Sequence, residues 1–269
     1  MLLKKTSTAG EKNGVSYLNG EVKSQGVALN VYSYAVDGVL IDTGSQSLHK
    51  HFERFIDAAD FDQVRLTHFH EDHTGCAAYV EKTKHVPIYI SDKSIDSCMQ
   101  QANYPLYRQL FWGKRKPFHA LAMPETFESR NATWYVIDTP GHAHDHKAFL
   151  NQETGQLFTG DLYVNERTKL VLAEESIPTI IQSLELVLTY DFQEVFCNHR
   201  GFVEEGRLAL ERKLDYLLGL QQDVLALHQQ GNPADSICRQ LFPKQYPITK
   251  FSEGEWDSLH IVTSILQES

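Results

Sequence analysis

His68-Phe69-His70-Glu71-Asp72-His73 is the most informative stretch of this chain, because it places three imidazoles and two carboxylates within six residues. It directly follows the apolar run 64–67, so it begins where a predicted strand ends. Imidazole nitrogen and carboxylate oxygen are the ligands that zinc and its first-row neighbours prefer. Histidine also loses its proton near neutral pH, so it can bind a metal at modest cost. The stretch predicts a metal site, against the alternative of a solvated loop that is rich in histidine by chance.

Other candidate ligands recur at the ends of predicted strands. Alternating apolar residues around Asp37-Gly38 predict a β-hairpin over 30–41, since Asp-Gly accepts the positive φ angles of a tight turn. Asp42 follows its second strand. Strands are also predicted over 134–138, 156–159 and 194–197, and they precede His142, Asp161 and His199. Because strand ends on one edge of a sheet converge in space, these side chains are expected to meet.

Helical periodicity separates the predicted strands and indicates an α/β layer architecture. Helices are predicted over 46–58, capped by Ser45 or Ser47, and over 74–83 and 176–189, with a further short strand at 87–90. After about residue 205 the pattern becomes purely helical, with a long helix at 208–228 and two short ones after it. This change predicts a catalytic domain over 1–205 and a helical extension over 206–269, packed on or beside the site.

The segment 93–130 concentrates aromatic residues, and the pattern predicts a helix over 93–112 followed by an irregular stretch. Two interpretations remain open. The helix is either a peripheral element packed on the sheet, or a lid that gives the substrate pocket an aromatic wall.

Composition restricts the class of protein. The hydrophobic fraction of 42% and the charged fraction of 22% are typical of globular chains, and no apolar stretch is long enough to cross a bilayer. The N-terminus lacks an export signal, so we expect a cytoplasmic protein without a membrane partner. The net charge of −10 disfavours nucleic acid without excluding it. The four scattered cysteines are expected to be free thiols, with Cys197 in the core.

Five motifs, taken together, resemble those of the metallo-β-lactamase superfamily. They are Asp42-Thr43-Gly44, the run from Thr67 to Gly75, Thr139-Pro140-Gly141-His142, Phe158-Thr159-Gly160-Asp161 and His199-Arg200-Gly201, in the family's order. The resemblance spans residues from about 15 to 203. It implies an αββα sandwich with a dinuclear metal site at its edge, to which this chain adds a small helical C-terminal appendage.

The resemblance also implies a role for each motif residue. His68, His70 and His142 would bind one metal, and Asp72, His73 and His199 the other. Asp161 would bridge the two metals, and Asp42 would orient a ligand imidazole. The H-x-H-x-D-H pattern differs from the H-x-E-x-D pattern of the family's di-iron flavoproteins. We therefore expect two divalent ions, with zinc preferred to manganese or iron.

Two adjacent metals can share a hydroxide that attacks an ester-like bond at neutral pH, and Asp72 could carry the proton to the leaving group. His146, Tyr163 and Arg200 lie beside predicted ligands and are candidates to contact the substrate or support a ligand. His144 is expected to be solvated. The sequence favours hydrolysis of a small thioester, lactone or phosphoester. The alternatives are an endoribonuclease or phosphodiesterase, an iron-dependent redox enzyme, and a scaffold that uses metal only for folding.

Overall fold

Two mixed β-sheets form the centre of the protein. The structure, a computed structural model, describes residues 3–24 and 26–268. Within them the strands are β1 Lys4–Lys12, β2 Val15–Ser24, β3 Val27–Val36, β4 Gly38–Ile41, β5 Phe61–Arg65, β6 Ile88–Ile90, β7 Leu121–Ala122, β8 Thr126–Glu128, β9 Thr133–Asp138, β10 Lys147–Asn151, β11 Gln156–Phe158, β12 Val171–Leu172, β13 Glu194–Cys197, β14 Gly201–Val203 and β15 Trp256–Asp257.

Helices cover the outer faces of these sheets. In the same part of the chain they are α1 His49–Ala58, α2 Glu71–Thr74, α3 Ala77–Thr83, α4 Ile95–Met99, α5 Leu106–Trp112, α6 Ile177–Leu188, α7 Gly206–Gln229, α8 Ala234–Leu241, α9 Pro247–Phe251 and α10 Leu259–Gln267. Short 3₁₀ turns at Gln46–Leu48 and Asp92–Ser94 lead into α1 and α4.

The strand order places the ends of several strands on a common edge. The first sheet runs β1-β2-β3-β4-β5-β6-β7, and its members from β4 to β7 are parallel. The second sheet runs β14-β13-β11-β10-β9-β8, with β11 parallel to β13 and both β9 and β11 antiparallel to β10. Strands β9, β11 and β13 therefore point the same way. A separate pair, β12 and β15, joins the middle of the chain to its C-terminal region.

Period-two burial in the strands builds a layered core, because successive side chains face opposite sides of a sheet. Val39 and Ile41 of β4 face the second sheet and pack with Phe149, Phe158 and other aromatic residues between the sheets. Leu40, between them, faces α1 and α3 on the outside. The second sheet packs its own outer face against α6, α7, α8 and α10. The order helix, sheet, sheet, helix confirms the predicted αββα class.

The hairpin around Asp37-Gly38 is confirmed, with Val36 paired to Val39 and φ angles of 47° and 77° at the turn. Several predicted boundaries are wrong. The helix predicted over 46–58 opens with a 3₁₀ turn, and neither Ser45 nor Ser47 caps it through its side chain. The strand predicted over 64–67 ends at Arg65, and the helix predicted over 74–83 is divided into α2 and α3.

The largest correction concerns 93–112, where one helix was expected. The structure has α4 and α5, separated by an extended segment over 100–105. Arg115 explains the break, because its guanidinium donates hydrogen bonds to the carbonyls of Ser97, Cys98 and Gln100 at the end of α4. The long helix predicted at 208–228 is present as α7. Up to residue 268, where the described part of the chain ends, three shorter helices follow it instead of the predicted two.

Candidate metal centre

Five strand ends deliver the predicted ligands to one place. Asp42 follows β4, and the run from His68 to His73 follows β5, its parallel neighbour. His142, Asp161 and His199 follow β9, β11 and β13 in the second sheet. The structure thus brings together, at the edge shared by both sheets, residues that are far apart in the sequence.

The inward-facing nitrogens of His68, His70 and His142 form a first ligand set. His70 Nδ1 lies 3.0 Å from His68 Nε2 and 3.1 Å from His142 Nε2. Asp72, His73 and His199 form a second ligand set, in which His199 Nε2 lies 3.5 Å from Asp72 Oδ2. In each set the potential ligand atoms lie within 4.8 Å of one another. These are the two groupings that the family resemblance implies.

Asp161 lies between the two sets. Its Oδ2 is 3.3 Å from His142 Nε2 in the first set and 2.9 Å from His199 Nε2 in the second. Its Oδ1 is 3.3 Å from His73 Nε2. A carboxylate in this position can reach a cation in either set, which is what a bridging ligand requires.

The donor atoms fit a metal by an independent criterion. His73 Nε2 and Asp161 Oδ1 are buried and have no hydrogen-bond partner within residues 3–24 and 26–268, although they face each other. Buried polar atoms are normally paired, because leaving one unpaired is costly. Two such unpaired atoms, beside the inward-facing nitrogens of the four other ligand histidines, therefore match coordination of a divalent cation.

The charges of the metal-free site are distributed unevenly. Burial and neighbouring imidazoles hold the pKa values of His68 and His70 well below the usual range, which leaves both rings neutral. Burial also lowers the pKa of His199, but Asp161 and Asp72 outweigh it and raise the value to about 9. Burial raises the pKa of Asp161, and the charges of His199 and His73 reverse that shift and keep the carboxylate ionised. Without a cation, protonated imidazoles balance the carboxylates.

Asp42 orients His73 of the second set by binding the ring nitrogen that points away from the other ligands. Its carboxylate accepts hydrogen bonds from His73 Nδ1 at 2.7 Å, from the backbone and hydroxyl of Thr67, both at 2.8 Å, and from Asn198 Nδ2 at 2.8 Å. Asp42 itself adopts φ 55°, a conformation that Asp tolerates better than most residues. The bond from His73 Nδ1 leaves Nε2 free of a proton when the ring is neutral.

Two further carboxylates, Glu174 and Glu175, contact the first set and were not predicted. Glu174 Oε1 lies 2.9 Å from His70 Nε2, and Glu175 Oε2 lies 3.0 Å from His142 Nδ1. Glu175 is fixed in turn by the backbone N–H of Leu172, which donates to its Oε1 at 2.8 Å. The adjacent pair of glutamates is the only signal in the sequence, and it does not distinguish this role from surface charge.

His146 supports Asp161, because both of its ring nitrogens are engaged in hydrogen bonds to neighbouring residues. Its Nε2 accepts the backbone N–H of Asp161 at 2.9 Å, and its Nδ1 therefore carries the proton that it donates to Thr139 Oγ1 at 2.8 Å. Gly160 makes the contact possible, because a Cβ at that position would lie 2.5 Å from His146 Nε2. His144, two residues earlier, is exposed, as predicted.

A cavity of about 830 Å³ opens beside both ligand sets, and it suits a small organic molecule. Tyr163 and Arg200 both line it, so the structure places these two candidate substrate contacts at the site. Lys213 of α7 also lines it and was not predicted. Its ammonium donates to the carbonyls of Leu162 and Tyr163, at 2.7 and 2.6 Å, and burial lowers its pKa to about 8.

The segment 93–130 has features of both structures considered from the sequence, a peripheral element packed on the sheet and an aromatic wall of the cavity. Phe118 packs in the core under the first sheet. Tyr107, Phe111 and Trp112 of α5 line the cavity, and the Trp112 ring centroid lies 6.5 Å from that of His199. The segment therefore supplies an aromatic wall, while its movement as a lid stays a prediction.

The family follows from comparison with known proteins. The sequence model of the metallo-beta-lactamase superfamily matches residues 26–217. "Lactamase-like protein aptB" of Emericella nidulans is 30% identical over an alignment of 250 positions, gaps included, which covers 83% of this chain and 74% of that protein. This chain belongs to the metallo-β-lactamase superfamily.

Other relatives match over part of their length. "Beta-lactamase-like protein 2 homolog" of Drosophila melanogaster is 28% identical over 203 residues, 71% of this chain and 64% of that protein. "Thioesterase pkgB" of Emericella nidulans is 30% identical over 177 residues, 64% of this chain and 45% of that protein. The chain thus spans about half to two thirds of these two relatives.

Solved structures match the fold over most of the chain. A beta-lactamase domain protein from Burkholderia ambifaria aligns with a TM-score of 0.72 at 17% identity, covering 97% of this chain and 88% of that one. The metallo-beta-lactamase FIM-1 from Pseudomonas aeruginosa, in its mono-zinc form, aligns with a TM-score of 0.59 at 16% identity, covering 80% and 95%. At identities of 16–17%, this structural similarity establishes the fold alone.

No helix in the described part of the chain has both the length and the hydropathy that a membrane crossing requires.

Proposed function

We propose that this protein is a metal-dependent hydrolase of a small ester-like substrate, with a thioester as the preferred class. The observation that carries the proposal is the convergence of the two ligand sets on Asp161, beside a cavity large enough for a small molecule. The orphaned atoms of His73 and Asp161 support occupancy by divalent cations, with zinc the first candidate and manganese or iron the alternatives.

Each site residue has a distinct part in this proposal. The first set and the second set would hold one cation each, and Asp161 would serve both. When bound, a divalent cation supplies Lewis acidity that polarises a substrate oxygen and lowers the pKa of a coordinated water towards about 7. Asp42 and the glutamates behind the first set keep the imidazoles oriented. Asp72 lines the cavity, so its Oδ2 can accept a proton and return it to the leaving group.

The thioester class is favoured by the relatives. Besides the protein named "Thioesterase pkgB", the "Atrochrysone carboxyl ACP thioesterase" of Passalora fulva is 26% identical over 167 residues, 61% of this chain and 44% of that protein. A thiolate is also a good leaving group, so the C–S bond can break with little help from a general acid. A single proton carrier such as Asp72 is then sufficient. Lactones and phosphoesters remain alternative substrates within the same mechanism.

A phosphodiesterase or endoribonuclease is the second candidate. One observation favours it, which is that Arg167, Lys169 and Arg200 line the cavity and are exposed to solvent. Such cations attract phosphate groups. The net charge of −10 argues against a long polyanion, so a small substrate is preferred.

Metal analysis of the purified protein, followed by assays with a thioester, a lactone, a phosphodiester and RNA, tests this proposal. We expect two equivalents of a divalent metal and turnover of the thioester. Asp161→Ala and His70→Ala should lose most of the metal, and activity should fall about 100-fold or more, because each removes a ligand. His144→Ala is the matched control, since His144 lies in the same histidine-rich run but is exposed. Full turnover by Asp161→Ala or His70→Ala would contradict the dinuclear assignment.

A further inference from the structure

One side of the cavity carries positive charge that no acidic residue neutralises. Arg167, Lys169 and Arg200 line the cavity, are exposed, and form no ion pair within residues 3–24 and 26–268. Glu166 lines the cavity beside them, but Arg212 already pairs with it at 2.8 Å. We call Arg167, Lys169 and Arg200 the cationic rim.

The cationic rim is positively charged, whereas the chain as a whole has a net charge of −10. Acidic residues outnumber Lys and Arg by 35 to 25, so three exposed cations gathered on the lining of one cavity have the opposite sign to the net charge of the chain. Apart from Glu166, the acidic residues that line the cavity are Asp72, Asp161 and Glu175, and these contact the histidines of the ligand sets. Charges held at the mouth of a cavity act over several ångströms and raise the local concentration of an oppositely charged ligand.

A different part of the cavity lining is aromatic. Phe111 and Trp112 of α5 contribute from one segment, and Tyr246 and Trp256 from the C-terminal region. Phe111 is held by the ring of Phe251, whose centroid lies 5.5 Å away. A cavity with a cationic rim, an aromatic wall and a candidate metal centre suits a ligand with an anionic end, an apolar end and a reactive bond between them.

We propose that the substrate is a thioester whose leaving thiol carries phosphate groups, of the pantetheine-phosphate type found in coenzyme A. The phosphates would bind the cationic rim, and the acyl group would contact the aromatic wall. This inference rests on the proposed thioester hydrolysis and adds to it the class of the leaving group. In the reaction, oxygen from water bonds to the acyl carbon as the C–S bond breaks. The thiolate leaves with the electron pair and takes up the proton that Asp72 carries, so that an acid and a thiol are released.

The acidity of the chain favours a small carrier over a carrier protein. A carrier protein with an acidic surface would be repelled by this chain, whose net charge is −10, whereas a small thiol presents only its phosphates to the rim. A carrier-protein thioester has the same phosphopantetheine group, so comparing both sources of that group identifies which one the protein uses.

Butyryl-coenzyme A, S-butyryl-4′-phosphopantetheine and S-butyryl-pantetheine test the inference, because they share the acyl group and the thioester. The second and third differ in one phosphate only, and coenzyme A adds an adenosine and two further phosphates. We expect kcat/KM to be higher for both phosphate-bearing thioesters than for the pantetheine thioester, about tenfold or more for that of coenzyme A, mainly through KM, and this preference to shrink as NaCl is raised. In Arg167→Ala/Lys169→Ala/Arg200→Ala the ratio of the kcat/KM values for the coenzyme A and pantetheine thioesters should fall to about one. Lys82→Ala/Lys114→Ala/Lys116→Ala removes the same number of exposed charges away from the cavity and should keep the wild-type ratio.

A binding measurement separates the rim from the metal centre. Coenzyme A should bind the chelator-treated wild type more tightly than pantetheine does, and the rim variant should lose that difference.

Equal turnover of all three thioesters by the wild type, with no effect of the rim variant, would overturn the inference and leave thioester hydrolysis intact. If none of the thioesters is turned over while a lactone or phosphodiester is, the thioester proposal fails and the inference falls with it. Higher kcat/KM with a butyryl carrier protein than with butyryl-coenzyme A, still dependent on the rim, would support phosphate recognition and identify the carrier.

Discussion

At the scale of single residues, the candidate metal centre has one recurring device. Each of its five histidines directs one ring nitrogen inward and gives the other to an oxygen atom. The pairs are His68 with Thr67 Oγ1, His70 with Glu174, His73 with Asp42, His142 with Glu175, and His199 with the carbonyl of Asn30. Such partners fix the tautomer and the orientation of a ligand imidazole.

The two glutamates behind the first set provide a direct test. Glu175→Gln should weaken metal binding about 10- to 100-fold, because the neutral amide no longer holds His142 with charge. Glu174→Gln should have a smaller effect, since the side chain of Glu174 is 44% exposed and that of Glu175 only 8%. Competition with a chromophoric chelator measures both affinities. Glu153→Gln is the control, being exposed and remote from the histidines. An affinity for Glu175→Gln equal to that of the wild type would rule out the role given to Glu175.

Metal uptake should also release protons. The pKa of His199 is raised to about 9 in the metal-free protein, so its ring is charged at pH 6, whereas coordination requires the neutral form. We expect at least one proton to be released per protein at pH 6, below the pKa of about 7 of a coordinated water. The apparent metal affinity should rise with pH up to about 9 for the same reason.

Calorimetric titration of metal in two weakly binding buffers of different ionisation enthalpy gives the number of protons. His199→Gln should release about one proton fewer. Binding at pH 6 without any proton release would mean that the imidazoles are already neutral, and the charge balance described for the metal-free site would be incorrect.

The sequence reveals the ligands better than it reveals their supports. His68, His70, Asp72 and His73 stand in one contiguous motif, so their spacing alone indicates a metal. Glu174 reaches a histidine 104 positions away in the sequence, and only the fold defines that contact. Its neighbour Glu175 stands just before α6, where acidic residues are common for reasons of helix capping.

At the scale of secondary structure, local signals predict the strands that lead into the ligand loops, but they miss β1 and β2 and give a wrong helix in the segment over 93–130. The Asp37-Gly38 turn requires only backbone conformations that those two residues tolerate, so the hairpin follows from the local sequence. The break between α4 and α5 depends on Arg115, whose bonds to α4 carbonyls become possible only when the chain folds back. A periodicity that counts apolar residues cannot detect such a contact.

Helix α5 is tied to the ligand loop through Arg108. Its guanidinium makes two hydrogen bonds of 2.7 Å to the carboxylate of Glu71, which adjoins Asp72, and a third of 3.2 Å to Glu255. Glu71 is only 2% exposed, so removing Arg108 would leave its charge buried without a partner. Arg108→Leu should therefore lower the free energy of unfolding by about 3–5 kcal/mol.

The comparison with a double variant makes this prediction specific. Arg108→Leu/Glu71→Leu should be more stable than Arg108→Leu alone, since it removes both charges together. Arg212→Leu, which breaks the exposed pair with Glu166, should change the stability far less than Arg108→Leu. Denaturant unfolding measures these three variants and Glu71→Leu, which completes the double-mutant cycle. A double variant as unstable as the sum of its two single changes would show that the charges are not coupled.

At the scale of the whole molecule, one continuous hydrophobic core contains residues from both sides of the predicted domain boundary at residue 205. Leu210 and Leu217 of α7 pack in the same cluster as Leu150 and Val195 of the second sheet. Ile261 of α10 and Ile237 of α8 join that cluster as well. Lys213 adds a polar link, because it holds the carbonyls that follow Asp161. The composition change near 205 marks a change from mixed structure to helix, and the division into two domains stays a prediction.

We expect this shared core to make unfolding cooperative over the entire chain. Calorimetry should give one transition, with a calorimetric enthalpy equal to the van't Hoff enthalpy, in both the metal-loaded and the chelated protein. Because the ligands come from both sheets, metal at 100 times its Kd should stabilise the chain by about 2.7 kcal/mol for each occupied site, which raises Tm by roughly 5–10 °C per site. Two transitions, of which only one moves with metal, would instead mean that residues 206–269 unfold independently of the catalytic domain. In that case α7 would separate from the second sheet in the first transition, although the carbonyls that Lys213 binds would stay in place. The protein would then still bind metal after that transition.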